Sequence, residues 1–218
     1  ALELLRDISR MPDLPMFTKE AKALAAAGYW RGLMNLWEAQ FKVGERYTIW
    51  PAQYHPLTLQ PVAARRFEPA SLVSSESAKV ARLLLDEYRY QRKHPQAGFD
   101  EPQWRARLSD AANWLAQHAV RDQRWDRSPL KLQQPSQLVP AKGEWIWPRF
   151  FALTPDAQGV FAPVWFDRDG LPHPSVSALS LERQQGYGWY QPQPLSYLRA
   201  WCKVIGGATW CAQLPKSR

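Results

Sequence analysis

Apolar positions recur at helical spacing from the start of the chain. Trp30, Met34, Trp37 and Phe41 lie four, three and four residues apart, so a helix capped by Thr18 is predicted to run to about Phe41 with this stripe in the core. Pro51, Pro56 and Pro61 then break any long helix and confine strand to an edge between Trp50 and Pro69. A second helix should begin at Ser74 or Ser75 and stop before Pro95, with Ala81, Leu84, Leu85 and Tyr88 as its buried face. A third has the clearest start, with Asp100 at the cap, Pro102 in the first turn and Gln103 three residues after the cap. Trp104, Leu108, Ala111 and Leu115 line it.

The period changes beyond Arg121. The basic, proline-containing run 121–142 reads as a loop, and from Glu144 the apolar runs Trp145–Leu153 and Val160–Phe166, split by a turn-rich segment, read as a hairpin. Asp167-Arg168-Asp169-Gly170 is a further turn, and Ser196 is placed to cap a short last helix ending at Gly206-Gly207. The expected fold is α+β, a helical N-terminal part followed by a small antiparallel sheet with a short C-terminal helix. The expected division is 1–130 helical, 131–143 linker or loop, and 144–218 a small α+β part.

Composition changes the picture in two ways. The 218 residues hold 12 Trp and 19 Pro, and 28 Lys and Arg exceed 20 Asp and Glu, a formal net charge of +8. Residues 61–149 carry 15 of those cations against 10 acids, so the excess sits mid-chain and favours an anionic partner. No stretch reaches the length of a membrane span, and residues 1–30 lack the layout of a secretion signal, so a cytoplasmic protein with no membrane partner is expected. The helical start at Ala1 is equally compatible with a processed product or a piece of a longer chain. Cys202 and Cys211 could bridge, supply half a metal site or stay reduced, and two unlinked thiols is the reading preferred here.

No phosphate-cradling loop, nucleophile elbow or zinc-protease helix occurs in the sequence. Three of the four His precede Pro and His118 stands alone on a helix, so no metal site and no cofactor are expected. Asp167 with Asp169 reads as a turn rather than a metal-binding pair, and Asp86-Glu87 as helical surface acids. The remaining chemistry is cationic. Lys79, Arg82, Arg89 and Lys93 fall near one face of the second helix, opposite its apolar side, and Arg121, Arg124 and Arg127 continue the charge around Trp125.

Cations interleaved with an aromatic suit phosphate contact with base stacking, so the expected function is a non-catalytic, tryptophan-rich nucleic-acid-binding module for DNA or RNA, more an accessory than an enzyme. The alternative is a protein-interaction or assembly subunit using Tyr187, Trp189 and Tyr190 as exposed hot spots. Pro163–Leu171 and Gly188–Pro192 resemble proline- and aromatic-bearing segments ahead of the motor in some large bacterial superfamily 1 helicases. That resemblance implies a portion or partner of a larger nucleic-acid machine, although the ATPase motifs are missing.

Overall fold

A computed structural model describes residues 1–12 and 18–216. Two compact units emerge, 1–40 and 41–218. The first is a pair of helices, α1 (Leu2–Arg10) and α2 (Lys19–Glu38). Thr18 caps α2 by accepting from the Ala21 amide at 3.2 Å. The buried positions of α2 are Ala25, Tyr29, Leu33 and Trp37, one i, i+4 stripe. The predicted stripe shares only Trp37 with it; Trp30 and Met34 are half-buried and Phe41 lies past the helix end. Small residues let the two helices meet, since Gly28 and Gly32 of α2 face Leu5 and Leu2 of α1.

The second unit joins three packed helices to two small antiparallel sheets. Its helices α3 (Ser74–Gln91), α4 (Glu101–Gln117) and α6 (Pro194–Val204) contact one another. The predicted apolar face of α3 is fully buried, and Asp100 caps α4 through the Gln103 amide at 3.0 Å. Helix α6 begins two residues before Ser196, which therefore lies inside it. Two buried side chains lock the layers: Tyr197 of α6 donates to the Leu108 carbonyl at 2.7 Å and Trp147 donates to the Leu115 carbonyl at 2.7 Å.

A small hairpin, β1 (Lys42–Val43) with β2 (Arg46–Tyr47), opens the unit. One sheet then orders β3 (Leu72–Val73), β6 (Phe150–Phe151), β7 (Pro163–Phe166) and β8 (Pro172–His173). The other orders β4 (Val120–Asp126), β5 (Gln137–Pro148) and β9 (Tyr190–Gln191). A short helix, α5 (Leu181–Gly186), precedes β9. The α+β class holds. Within the run read as a loop, 121–126 and 137–142 are strand, while 131–136, the first part of the expected 131–143 linker, is not: β4 and β5 form a long hairpin with Arg124 opposite Val139 and Trp125 opposite Leu138. Trp145 and Trp147 belong to β5, while the expected hairpin survives in shorter form as β6–β7. Only Val120 and Trp125 are apolar within 120–126, so the segment shows no two-residue alternation and it is the pairing with β5 that makes it a strand.

Cys202 and Cys211 form a disulfide, with Cα atoms 5.9 Å apart, which replaces the expectation of separate thiols. The turn at Gly206 and Gly207, both at positive φ, brings the chain back for that closure.

His118 is structural. Its ring stacks on Trp114 at 3.9 Å, Nδ1 lies 2.8 Å from the Trp114 carbonyl, and Nε2 accepts from the Phe161 amide at 3.2 Å. Burial lowers its pKa. The unfolded chain therefore takes up the proton first as pH falls, so the stabilisation is complete above about pH 6.5 and is lost as the pH drops toward the folded-state value. Urea midpoints measured from about pH 7.5 to about pH 5 should decline, and the His118→Phe variant should decline less over that window.

Candidate functional site

Four segments distant in sequence bring arginines and carboxylates together in the second unit. The first is the turn 65–68. Arg65 clasps Glu68 with both Nε and Nη2 at 2.8 Å, the forked geometry that makes arginine–carboxylate pairs strong and directional. Glu68 is buried and also accepts from the Tyr187 hydroxyl. The Arg65 guanidinium lies within 3.3 Å of that same hydroxyl, and its pKa is raised chiefly by its bond to Glu68.

The second segment is the junction between β5 and β6. The Ser74 amide donates to the Arg149 carbonyl at 2.9 Å, and the Arg149 amide donates to the Trp189 carbonyl at 2.8 Å. Two distant chain segments thus hold one residue's main chain. Its side chain reaches Glu76 of α3 at 2.6 Å and lies 4.9 Å from the Tyr187 ring centre. The Arg149 Nε is buried and meets no acceptor among the described residues. An unsatisfied buried donor costs roughly 1–3 kcal/mol, and the indole N–H groups of Trp114, Trp125, Trp165 and Trp201 are in the same state, so it is the charge of Arg149 that sets it apart.

The third segment is α5 and the aromatic run after it. Arg183 is buried, donates to the Phe166 and Phe67 carbonyls, and lies 4.2 Å from the Tyr187 ring centre. Burial lowers its pKa, opposed by the charges of Glu68 and Asp167. The Tyr187 ring therefore lies beside two guanidinium groups while its hydroxyl is bound to a carboxylate.

The fourth is the turn 167–170. Asp167 accepts from the amides of Leu171 at 2.9 Å and Asp169 at 2.8 Å, and His173 lies 3.2 Å from its second oxygen. The Leu171 amide is the leading cause of its lowered pKa. The turn reading of this motif holds in its geometry. Arg66 pairs with Asp169 at 2.8 Å and Arg168 with Glu182, so the turn is tied to both flanking segments. Gly170, at φ +81°, is packed so closely that an added Cβ would sit 2.4 Å from the Arg66 carbonyl oxygen. Gly170→Ala should cost at least about 1–2 kcal/mol by denaturant titration, whereas Gly186→Ala, in open space, should stay within about 0.5 kcal/mol.

Between the first two segments lies a recess of about 130 Å³ lined by Arg65, Glu68, Glu76, Arg149, Gln53 and Phe150 among others. That is room for about four waters, enough for a carboxylate and part of one ring.

A scan of protein families matches residues 1–197 to the family described as pectic acid lyase. The chain belongs to that family. The pectic acid lyase match takes in all four segments of the cluster, including Pro163–Leu171 and Gly188–Pro192. Among solved structures, the chain is similar to a family 10 polysaccharide lyase from Cellvibrio cellulosa, at 25% identity and a TM-score of 0.77, over 94% of this chain and 59% of that one. A mutant of the same lyase in complex with trigalaturonic acid matches with a TM-score of 0.76 at the same identity and coverage. The chain thus spans about three fifths of the length of those solved chains. No curated protein matches it.

These findings overturn the nucleic-acid reading, its DNA-binding description and the nucleic-acid partner, together with the helicase-like resemblance. The physical reason is that an excess of cations calls for an anion without naming its chemistry, and a polycarboxylate answers it as well as a polyphosphate. The residues chosen for phosphate contact divide. Arg82, Arg89 and Lys93 share a cleft between α3 and α6, whereas Lys79 is exposed on α3 outside its lining. Arg124, Trp125 and Arg127 line a different groove, on the β4–β5 side. Arg121 lies over the Trp145 ring and bonds to Gln213. Trp125 is half-buried, 4.9 Å from the Tyr190 ring centre.

The proposed exposed hot spots are not exposed as a group. Trp189 is 0% accessible and donates to the Arg183 carbonyl, Tyr187 is engaged by Glu68, and Tyr190 is half-buried. Sequence reasoning missed Arg65, Glu68, Arg149 and Arg183. The signal for Arg149 was present as a single cation inside the run Trp145-Ile146-Trp147-Pro148-Arg149-Phe150-Phe151, where an apolar strand has no use for a charge.

Proposed function

We propose that the chain carries a polysaccharide lyase site acting on an acidic, galacturonate-type polymer, with Arg149 and Arg65 receiving a uronate carboxylate in the recess. The supporting observation is that a member of the pectic acid lyase family gathers Arg65, Arg149 and Arg183 around Tyr187, with one guanidinium N–H left without an acceptor.

A lyase cleaves the bond to the next sugar by elimination: the proton on the carbon beside the carboxylate is removed, its electron pair forms a carbon–carbon double bond as the neighbouring carbon–oxygen bond breaks, and the departing sugar leaves with a protonated hydroxyl, so no water is added. That proton becomes acidic only when the carboxylate charge is neutralised, because the carbanion would otherwise form beside an anion. Fixed guanidinium groups supply this neutralisation without reorganising during the reaction. Glu68 and Glu76 hold the arginines in place until substrate arrives, and a uronate carboxylate competes with them for the same donors. The small recess receives one sugar's acid group while the polymer crosses its mouth.

The disulfide supports an oxidising compartment in place of the cytoplasm, which suits an enzyme whose polymeric substrate is too large to enter a cell. The test is incubation of the chain with polygalacturonate. Elimination gives an unsaturated uronate end, seen as rising ultraviolet absorbance. New reducing ends without that absorbance, or no cleavage at all, would overturn the proposal.

A further inference from the structure

The cleft between α3 and α6, about 640 Å³, is lined mainly by cations. Arg82, Arg89 and Lys93 fall at i, i+7 and i+11, a single stripe along α3 and its C-terminal turn, with Arg92 beside them. Ser196, Arg199, Ala200 and Lys203 fall at i, i+3, i+4 and i+7 and make the opposing wall on α6. Among the described residues six cations therefore line the cleft, and no Asp or Glu does. Neighbouring acids do not balance them. Asp86 is shared between Arg82 at 3.3 Å and Arg89 at 3.9 Å, and Glu101 holds Arg92 at 3.0 Å. Lys93 and Lys203 have no acidic partner among the described residues.

The bland account is that cations near the C-terminal ends of helices complement their dipoles. It covers Arg89 and Lys203 on their own helices, but it does not require two helices to turn their cations toward one another. Like charges that face across a cleft repel, and such an arrangement is sustained at little cost only where an anion enters.

Shape and continuation narrow the ligand. Arg82 to Arg89 alone spans about 10 Å along the helix axis, so the charges suit an extended anion with repeated charges rather than a single small one. Arg199 also lines the neighbouring groove of about 870 Å³, whose wall includes Trp125, Trp145 and Tyr190. The half-buried Trp125 and Tyr190 offer aromatic surface beside cations, which suits sugar rings bearing carboxylates. None of the residues lining these two grooves lines the Arg149 recess.

We propose that the α3–α6 cleft, continued past Arg199, is an accessory polyuronate-binding tract that holds the anionic polymer at a surface separate from the recess. The tract rests on the lyase reading for its ligand and raises affinity for long chains by giving them a second attachment, as linked sites do. Binding weakens as salt screens the exposed charges.

The experiment compares the unaltered chain, Lys93→Glu with Lys203→Glu, and Arg149→Ala, using a fluorescently labelled long oligogalacturonate and unlabelled trigalacturonate. Lys93→Gln with Lys203→Gln serves as a milder pair should charge reversal disturb folding. The expected result is long-chain binding at least about tenfold weaker in the lysine variants, unchanged trigalacturonate turnover in them, and retained long-chain binding in Arg149→Ala. Undiminished long-chain binding in both lysine pairs overturns the tract, as does loss of that binding in Arg149→Ala alone. Equal displacement by a DNA strand of matched charge also overturns it, because the surface would then be a general polyanion patch. Long-chain binding that depends on Lys93 and Lys203, with no unsaturated product from any substrate, supports the tract while the lyase reading fails.

Discussion

Arg149→Ala should lower the rate of unsaturated-product formation by about 10²–10³-fold, the usual cost of deleting one preorganised charge-stabilising donor. The fall should appear mainly in kcat, since the carboxylate gains most negative character as the proton leaves. Arg149→Lys should recover only part of it, because an ammonium restores charge without the planar fork. Structural damage is separable. The partner left behind, Glu76, has a side chain 45% exposed and can be rehydrated, so the alanine variant should keep its urea midpoint near that of the parent. Glu76→Gln offers the complementary measurement: it frees Arg149 from its resident acid and should lower KM for oligogalacturonate or leave it unchanged. A tenfold rise in KM would instead mean that Glu76 orients the guanidinium.

The largest stability effect is expected at Trp147. Its side chain is 0% accessible and its indole N–H donates to the Leu115 carbonyl, so one residue both fills the space between β5 and α4 and satisfies a polar group there. Trp147→Ala should cost about 3–5 kcal/mol in urea titrations, combining lost transfer energy with a cavity. Trp147→Phe keeps much of the ring and removes the hydrogen bond, which should reduce the loss to about 1–2 kcal/mol. A cost below about 1 kcal/mol for the alanine variant would mean that the surrounding layers collapse into the space.

How much of this was legible in the sequence depended on the range of the interactions. Thr18 and Asp100 announced their helices because a cap bond closes over three residues, and Ala81, Leu84, Leu85 and Tyr88 announced a buried face because helical periodicity is a local property. The strand at 120–126 was hidden. Its partner begins eleven residues later, and with four charged residues among its seven it has no alternation to read. In α2 the choice between two stripes one residue apart turned on Trp30 against Tyr29, and the large indole drew the wrong one.

The cluster was the least legible part. Arg65 with Glu68 is local, but Tyr187 joins them from 119 residues away and Arg149 finds Glu76 across 73. No spacing rule encodes such pairs. The cations on α3 were visible as a stripe, yet their opposing wall on α6 was not, since Arg199 and Lys203 gain meaning only when the two helices pack. Counting charge was sound; choosing phosphate as the counter-charge was a guess about chemistry that net charge does not contain.

The main-chain anchorage of Arg149 has a consequence for evolvability. Because its amide and carbonyl are stitched to Trp189 and to Ser74, three otherwise independent stretches of polypeptide share a single seam. An insertion in any one of them would shear the other two, so length variation among relatives should accumulate in the outlying loops while this seam keeps a constant gauge.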